Sequence, residues 1–444
     1  MMTVRCPPID RISNLPSNLI ETILMLLPLR DAVRTSVLSK KWRYNWVKLP
    51  QLVFDDTLIK NSDWDWPFVR YLNEIELSPE RRLIKVIYHV LLLHNGPILK
   101  FTLSTSQIER CSEIDLFIVF LSRNGVEEFT FGISKCQCYV LPLSFFSCSR
   151  LRHLKLSHCE FDPPRTFNGF SRLVSLEFNR VDIRESVLGS LVSSCPLLEQ
   201  LTLNGSYSHF EFEDPFDFEY IEIRDAPNLK FLSISAIFGS VRFKNTPRLA
   251  VVSITSDNSD DLKLLNEKEA PEMIHVFSCL PVIETLQLGY RFVKFLTVAG
   301  VPQRLLFTLD HLKVLQLYDI CFGEIVNVSF LLCLIKSSPN LKRIEIETRT
   351  CCTDDTGSVL EFLEMQDFSD VSLDQLREVH MRFISGTRPE LEFIKLILAK
   401  SPLLKTIHIE SDSEEVDDNE MGVWRELTQF QCVSPEAEII YRDC

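Results

Sequence analysis

The sequence predicts an α/β protein in which a small N-terminal helical segment precedes a long parallel sheet with helices on one side. Three observations predict this fold. Three short helix signals lie within the first 56 residues. From about residue 96, the pattern apolar-x-x-apolar-x-apolar recurs twelve times at steps of 20 to 35 residues. Six copies begin with proline, and four of these follow an apolar, helix-like run.

The N-terminal helical segment comprises residues 8–56. Leu15-Pro16 marks the start of the first helix. The backbone N–H groups in the first turn of a helix have no partner within the helix, so proline, which lacks this group, is tolerated there. Asp31 and Ser39 are placed to cap the second and third helices. Three helices of this length form a small core, so we expect much of their apolar surface to need a partner.

This segment resembles an F-box in its plant form. It contains Leu15-Pro16, a second Leu-Pro pair at 27–28 and a Leu-Ser-x-x-Trp element at 38–42. The resemblance implies docking on an Skp1-type adaptor within a cullin–RING ubiquitin ligase. Carried over by position, the residues that would form or support the adaptor-facing surface are Leu15, Pro16, Ile20, Ile23, Leu24, Pro28, Val37, Leu38 and Trp42. The alternative is that they form only the internal core of a three-helix cap.

Residues 98–365 are predicted to be a repeat array. Proline disfavours a helical conformation in the residue before it, so each helix ends there and an extended strand begins. Stacked units of this kind form a parallel sheet inside an arc, with helices outside. The array resembles an irregular plant leucine-rich repeat. The twelve copies begin at Ile98, Val126, Leu151, Leu173, Leu198, Leu229, Leu249, Ile283, Leu312, Leu341, Leu376 and Leu404.

Two flanking segments extend the resemblance. Residues 57–97 are predicted to be a linker followed by an apolar helix that caps the N-terminal end of the sheet. Residues 366–444 resemble the FBD module of plant F-box/leucine-rich-repeat proteins. With these segments, the resemblance to plant F-box/FBD/leucine-rich-repeat proteins covers nearly the whole chain.

Composition and charge exclude several classes of protein. The net charge of −14 repels phosphate backbones, so we expect no nucleic acid partner. The longest stretches without charge have 14 residues, fewer than the roughly 18 apolar residues of a membrane span. No secretory signal is visible. These features predict a soluble protein of the cytoplasm and/or nucleus, without a membrane partner, whose 14 cysteines are reduced.

The sequence predicts binding rather than catalysis. It contains no G-x-S-x-G, Walker, G-x-G-x-x-G or H-E-x-x-H motif, and its cysteines lack zinc-like spacing. We therefore expect no catalytic residue, cofactor or metal. Residues between the buried strand positions should point to the exposed, concave side. The candidate client-binding residues are His153, Lys155, Glu177, Gln200, Phe231, Gln287, Val314, Gln316, Arg343, Glu345, His380 and His408.

The sequence and the resemblance together predict a substrate-recognition subunit of an Skp1–cullin–F-box (SCF) ubiquitin ligase that binds an unknown protein client. One alternative is a binding scaffold that does not send its client for degradation. Another is an enzyme with a site in loops such as 210–218 or 348–356. The acidic run 410–420 is predicted to be a solvated loop, and Ser411 within it lies in an acidophilic-kinase-like context.

Overall fold

Two compact units, Met1–Leu198 and Glu199–Cys444, make up the chain in a computed structural model. The structure describes residues 15–60, 78–108, 112–134, 139–205, 218–236, 238–255, 273–349, 356–366, 368, 371–411, 427 and 429–442.

The Met1–Leu198 unit contains six helices and a five-stranded parallel sheet among its described residues. The strands lie in the order β1-β2-β3-β5-β7, and β4 pairs separately with β6. Short 3₁₀ turns lie at 35–37, 45–48 and 143–147. The elements are α1 Ser17–Met25, α2 Leu29–Arg34, β1 Gln51–Asp55, α3 Thr57–Lys60, α4 Pro79–Leu93, β2 Lys100–Thr105, α5 Ser112–Arg123, β3 Glu128–Ile133, β4 Tyr139–Val140, β5 His153–Ser157, β6 Cys159–Glu160, β7 Ser175–Asn179 and α6 Glu185–Ser193.

The third helix predicted in the N-terminal segment is absent. Residues 39–48 form turns and a 3₁₀ helix instead of an α-helix capped by Ser39. Asp31 lies inside α2 and does not cap it. The segment is short and rich in aromatic residues, which have modest helix propensity. Trp42 and Trp46 are nevertheless both buried, at 2% and 0% exposure, so tertiary packing decides the local conformation.

The N-terminal end of the sheet also differs from the expectation. Strand β1 pairs in parallel with β2, and α4 lies between them in the chain. Because parallel neighbours need a crossover connection, α4 is that crossover helix, and the first strand of the sheet is β1. The repeat pattern fits this strand as Leu49, Leu52 and Phe54, all of which are buried, so the pattern starts one copy earlier than predicted.

The Glu199–Cys444 unit contains five helices and a nine-stranded parallel sheet among its described residues. The strands lie in the order β8-β10-β12-β13-β14-β15-β16-β17-β18, and β9 pairs separately with β11. The elements are β8 Gln200–Asn204, β9 Phe218–Arg224, β10 Phe231–Ser235, β11 Phe238–Lys244, β12 Val251–Thr255, α7 Met273–Ser278, β13 Thr285–Gly289, α8 Tyr290–Thr297, β14 Val314–Ile320, α9 Ile325–Ser337, β15 Arg343–Thr348, α10 Thr356–Met365, β16 Glu378–Ile384, α11 Arg388–Lys400, β17 Thr406–Ser411 and β18 Glu438–Arg442.

The periodic pattern of the sequence identifies the core. All three apolar positions of all twelve predicted copies are buried, with at most 3% exposure. In the first unit, successive strands stack phenylalanine rings, with Phe54–Phe101 and Phe101–Phe129 centroids each 5.8 Å apart. The α/β class with a parallel sheet is confirmed.

Two repeats depart from the predicted strand–loop–helix unit. The connections after β8 and after β10 contain the strands β9 and β11 where the prediction placed helices outside the sheet. Ile221, Ile223 and Val241 of this pair are buried at 0 to 1% exposure. Their alternating β-branched residues favour a strand over a helix.

Among the described residues, the cysteines follow the expectation of reduced thiols except at Cys321. Cys148, Cys159, Cys195 and Cys333 are buried free thiols. Cys321 is disulfide-bonded, so the expectation of reduced thiols is wrong there. Sequence spacing could not reveal this bond, because disulfide formation depends on the spatial distance between the two residues.

The described part of the chain contains neither a membrane-spanning helix nor a cluster of metal-ligating side chains. None of its helices is long and apolar enough to cross a membrane. Within the same residues, no group of three or more histidine, cysteine or acidic side chains is placed to hold a metal ion.

Candidate interaction surfaces

The N-terminal helices present a large apolar area to solvent. We call this area the N-terminal apolar surface; its members, with their exposed fractions, are Leu19 46%, Ile23 37%, Met25 47%, Leu26 82%, Val37 78%, Leu38 52% and Tyr44 61%. Scattered apolar residues are ordinary on a protein surface, but seven within 26 residues indicate a contact site for another protein.

The nine residues predicted to face an adaptor divide into two groups. Ile20, Leu24 and Trp42 are buried and hold the helices together, as supporting residues would. Leu15 is half-buried. The exposed members, which are available to a partner, are Pro16, Ile23, Pro28, Val37 and Leu38.

The prediction missed four members of the N-terminal apolar surface, namely Leu19, Met25, Leu26 and Tyr44. A signal for two of them was present in the sequence. Leu19, Ile23 and Leu26 are spaced i, i+4, i+7, which places a second apolar stripe on a helix whose first stripe contains Ile20 and Leu24.

Backbone hydrogen bonds fix this helical segment to the sheet of the same unit. The Asn95 amide donates to the Val47 carbonyl at 2.8 Å, and the Leu99 amide donates to the Pro50 carbonyl at 2.8 Å. His94 Nε2 donates to the carbonyl of Leu49 at 2.9 Å. These contacts lie on residues just before β1 and attach the helical segment directly to the sheet of its unit.

In the first unit, the exposed face of the sheet contains the predicted residues His153, Lys155 and Glu177. Lys155 Nζ lies 2.7 Å from Glu177 Oε1, and the side-chain Nδ2 of Asn179 donates to the same oxygen at 3.0 Å. Burial alone would raise the pKa of Glu177, but these hydrogen bonds hold it below its ordinary value. The carboxylate is therefore charged and already paired.

In the second unit, the remaining nine predicted residues lie on one exposed sheet face. The strand register aligns Gln200, Phe231, Val314 and Arg343 in one row across the strands. A second row, which we call the polar ladder, consists of Gln287, Gln316, Glu345, His380 and His408. None of these nine side chains is buried, in contrast to the apolar positions beside them.

Members of the polar ladder contact one another directly. Gln287 donates to Gln316, and Gln316 donates in turn to Glu345. Glu345 also forms an ion pair with Arg343, whose guanidinium lies 3.6 Å from Glu378. This network fixes the side chains in defined orientations and so lowers the entropy that a partner must remove on binding.

The polar ladder ends in two stacked histidines. The rings of His380 and His408 lie 4.4 Å apart at an interplanar angle of 18°. Burial lowers the pKa of His380, and the nearby charges of His408 and Arg343 lower it further. The stacked rings present a flat surface and ring nitrogens to a ligand.

Two β-bulges add residues that the prediction missed. The pairing register shifts after Leu317 in β14 and after Met381 in β16. Asp319 and Phe383 have positive φ angles of 59° and 57° there, and Phe383 is 39% exposed. Bulges re-aim side chains and often lie beside binding sites, but their positions depend on strand pairing and leave no clear sequence pattern.

Three other expectations concern particular segments. Ser411 is the last residue of β17 and is 4% exposed, so it is not accessible to a kinase as it would be in a solvated loop. Residues 412–420 of the predicted acidic loop lie outside the described residues. So do 210–217 and 350–355 of the loops considered for an enzyme site.

The surfaces described above favour binding chemistry. Burial raises the pKa of Cys148 to about 12 and those of Cys195 and Cys333 to about 11, so these thiols are protonated and poor nucleophiles. The arrangement provides an apolar surface on the N-terminal helices and a row of fixed donors and acceptors on the second sheet.

Two family models match the chain. The F-box domain model matches residues 12–51, and the model described as At1g61320/AtMIF1, LRR domain matches residues 91–440. The first match contains α1, α2 and all seven residues of the N-terminal apolar surface. The second contains β2 to β17 and overlaps most of the segment 366–444 that was predicted as an FBD-like module.

Several curated proteins of Arabidopsis thaliana are similar to the chain. F-box/FBD/LRR-repeat protein At1g13570 is 37% identical over 433 residues, which cover 97% of this chain and 98% of the relative. F-box/FBD/LRR-repeat protein At1g13780 is 26% identical over 98% of both chains. F-box/LRR-repeat protein At3g59200 is 27% identical over 76% of this chain and 69% of the relative. With an F-box at its start and leucine-rich repeats over most of its length, the chain belongs to the plant F-box/FBD/leucine-rich-repeat protein family.

Proposed function

We propose that this protein is the substrate-recognition subunit of an SCF ubiquitin ligase. In this role, the N-terminal apolar surface binds an Skp1-type adaptor, and the exposed face of the repeat sheet binds a protein client. The observation that carries the proposal is that seven exposed apolar residues lie within the F-box match, 12–51. Exposing such an apolar surface to water is unfavourable in free energy, and binding of a partner protein removes this penalty.

The proposed contribution to ubiquitin transfer is positional. The F-box match and the repeat match are not catalytic domains, and the subunit would make no bond itself. Joining an adaptor site to a client site raises the effective concentration of a client lysine near the ubiquitin-charged enzyme of the complex. The direct hydrogen bonds between the first sheet and the helical segment suit this role, because a fixed geometry limits the orientations that the client can adopt.

Binding of a purified Skp1-type adaptor tests the first half of the proposal. Val37→Asp with Leu38→Asp places two charges in the N-terminal apolar surface, and we expect this variant to lose adaptor binding. Tyr88→Asp with Leu92→Asp is the matched control, since these residues of α4 are 52% and 67% exposed but lie outside the F-box match. Equal binding by both variants, or no binding by the unmodified protein, would contradict the proposal.

Affinity purification from cells tests the second half. We expect Gln316→Ala with Glu345→Ala, in the polar ladder, to lose client proteins that the unmodified protein retains. The control is Glu392→Ala with Lys395→Ala, an exposed ion pair of 3.1 Å on α11. Clients that accumulate when the protein is depleted indicate a degradative role, whereas unchanged half-lives indicate the alternative of a non-degradative scaffold.

A further inference from the structure

Three cations lie side by side at the edge of the second sheet where its strands begin. Lys342, Arg377 and Lys405 immediately precede β15, β16 and β17. The Arg377 amide donates to the Lys342 carbonyl, and the Lys405 amide donates to the Arg377 carbonyl, each at 2.9 Å. Since parallel strands lie about 4.8 Å apart, the three backbones span about 10 Å. We call these residues the basic row.

The basic row differs from the same position on two earlier strands of the second unit. Lys230, before β10, has its Nζ 2.9 Å from Glu199, and Lys313, before β14, has its Nζ 2.9 Å from Glu284. In both cases, the glutamate that lies just before the neighbouring strand neutralises the lysine. Among the described residues, no carboxylate lies within ion-pair distance of the basic row, although the protein as a whole has a net charge of −14. Folding does not require this accumulation of like charge.

A cavity of about 260 Å³ opens beside two members of the row. Its walls combine the two cations with apolar groups, and Leu403 is 51% exposed there. Glu436 is the single acidic residue of the lining, so the two cations leave the cavity with an excess of positive charge. The lining residues are Arg377, Pro402, Leu403, Lys405, Ser434, Pro435 and Glu436.

The wall that contains Ser434 is fixed by hydrogen bonds. Ser434 Oγ donates to the Leu404 carbonyl at 2.7 Å and accepts from the Glu436 amide at 3.4 Å. The Val433 amide donates to the Leu398 carbonyl at 3.1 Å. The cavity is therefore formed before any ligand binds, which reduces the entropy cost of occupying it.

We propose that the basic row and its cavity bind an acidic peptide segment of a partner protein. Carboxylates of the segment pair with the basic row, and one apolar side chain packs against Pro402, Leu403 and Pro435. An extended peptide rises about 3.3 Å per residue, so three or four residues span the row. This site lies at the strand-start edge of the sheet and does not include the polar ladder, and the proposal does not depend on the proposed ligase function.

Fluorescence anisotropy of a labelled peptide tests the proposal. The probe is a short peptide of alternating glutamate and aspartate around one leucine, and the same peptide with glutamine and asparagine is its neutral counterpart. We expect Arg377→Gln with Lys405→Gln to weaken binding about tenfold, as two exposed charge pairs are lost. The matched control, Lys230→Gln with Lys244→Gln, changes the net charge equally and should bind within about twofold of the unmodified protein.

The acidic run 410–420 could compete with the probe, so the full-length protein is measured with and without Glu414→Gln, Glu415→Gln, Asp417→Asn and Asp418→Asn. Binding of the acidic probe by either form, weakened about tenfold by the basic-row variant, supports the proposal. Absence of binding by both forms, equal binding of the neutral peptide, or an equal loss in the control variant overturns it. Displacement of the probe by inorganic phosphate at comparable concentration also overturns it, because the site would then be one for phosphate.

Discussion

Leu24 and Leu26 lie two residues apart at the end of α1 but have opposite surroundings. Leu24 is fully buried at 0% exposure, whereas Leu26 is 82% exposed. If an adaptor covers the N-terminal apolar surface, the two leucines have separate roles: Leu24 stabilises the helical segment, and Leu26 contributes to binding. Replacing each by alanine separates the two effects.

The expected magnitudes follow from the exposed fractions. Fully burying a leucine side chain stabilises by about 2 kcal/mol, so covering the 82% exposed Leu26 stabilises the complex by up to about 1.6 kcal/mol. Leu26→Ala should therefore weaken adaptor binding by up to about fifteenfold, with the free energy of unfolding changed by less than about 0.5 kcal/mol. Leu24→Ala leaves a cavity and should lower the free energy of unfolding by about 2 to 5 kcal/mol.

Isothermal titration calorimetry against a purified Skp1-type adaptor gives the dissociation constant of each variant, and urea titration gives its free energy of unfolding. A Leu26→Ala variant that binds as tightly as the unmodified protein would refute the reasoning. So would a Leu26→Ala variant that is destabilised as much as Leu24→Ala, because Leu26 would then be part of the core.

Three further predictions concern stability. Gly169→Ala should lower the free energy of unfolding by about 2 kcal/mol or more in urea titration, because its φ is +80° and an added Cβ would lie 2.5 Å from the Ser194 carbonyl oxygen. Glu390→Ala should lower the free energy of unfolding by about 3 kcal/mol. The Glu390 side chain is 4% exposed and accepts hydrogen bonds from backbone amides at the start of α11. Glu390→Gln keeps a hydrogen-bond acceptor and should therefore lower the free energy of unfolding by less. The pKa of His380 in the folded state lies below its unfolded value of 6.5 because of burial and the charge of His408. The contribution of His380 to the free energy of unfolding should therefore be complete above pH 6.5 and decrease as the pH falls below that value.

Each of these predictions has its own control. Gly300→Ala also changes a glycine with positive φ, at +95°, but no atom lies within 4 Å of its added Cβ, so a loss as large as that of Gly169→Ala would show that the Ser194 contact is unimportant. Equal losses for the two Glu390 variants would argue against the hydrogen-bond explanation. His380→Gln should flatten the pH dependence just below 6.5, and an unchanged profile would assign that dependence to other groups.

The sequence predicted the strands of the sheet better than their connections. Strand positions follow from the local apolar pattern, since burial of one face requires alternation within each strand. The same pattern at Leu49, Leu52 and Phe54 could have identified β1. The strands β9 and β11, where helices were predicted, also follow a local alternation of apolar residues, but this alternation lies outside the twelve-copy pattern.

The candidate surfaces were predictable in part for a related reason. Alternation indicated that His380 and His408 lie exposed on their strands, and the structure adds that their rings stack. The division of the F-box residues was not predictable, because Ile20 and Ile23 are both apolar and only the packing of the helical segment separates the buried from the exposed one. The bulge at Phe383 arises from a register shift between two strands, which no single segment of sequence encodes.

The order of the strands has a consequence for synthesis on the ribosome. Within each unit, the strands of the main sheet lie side by side in the same order as they occur along the chain, so paired strands are close in sequence. A newly made strand can therefore join the growing sheet without waiting for a distant part of the chain. Because N-terminal units generally fold first during translation, the F-box helices and the first sheet can become native while the second unit is still being translated. Nascent chains of this protein would then expose the N-terminal apolar surface before the polar ladder of the second unit exists.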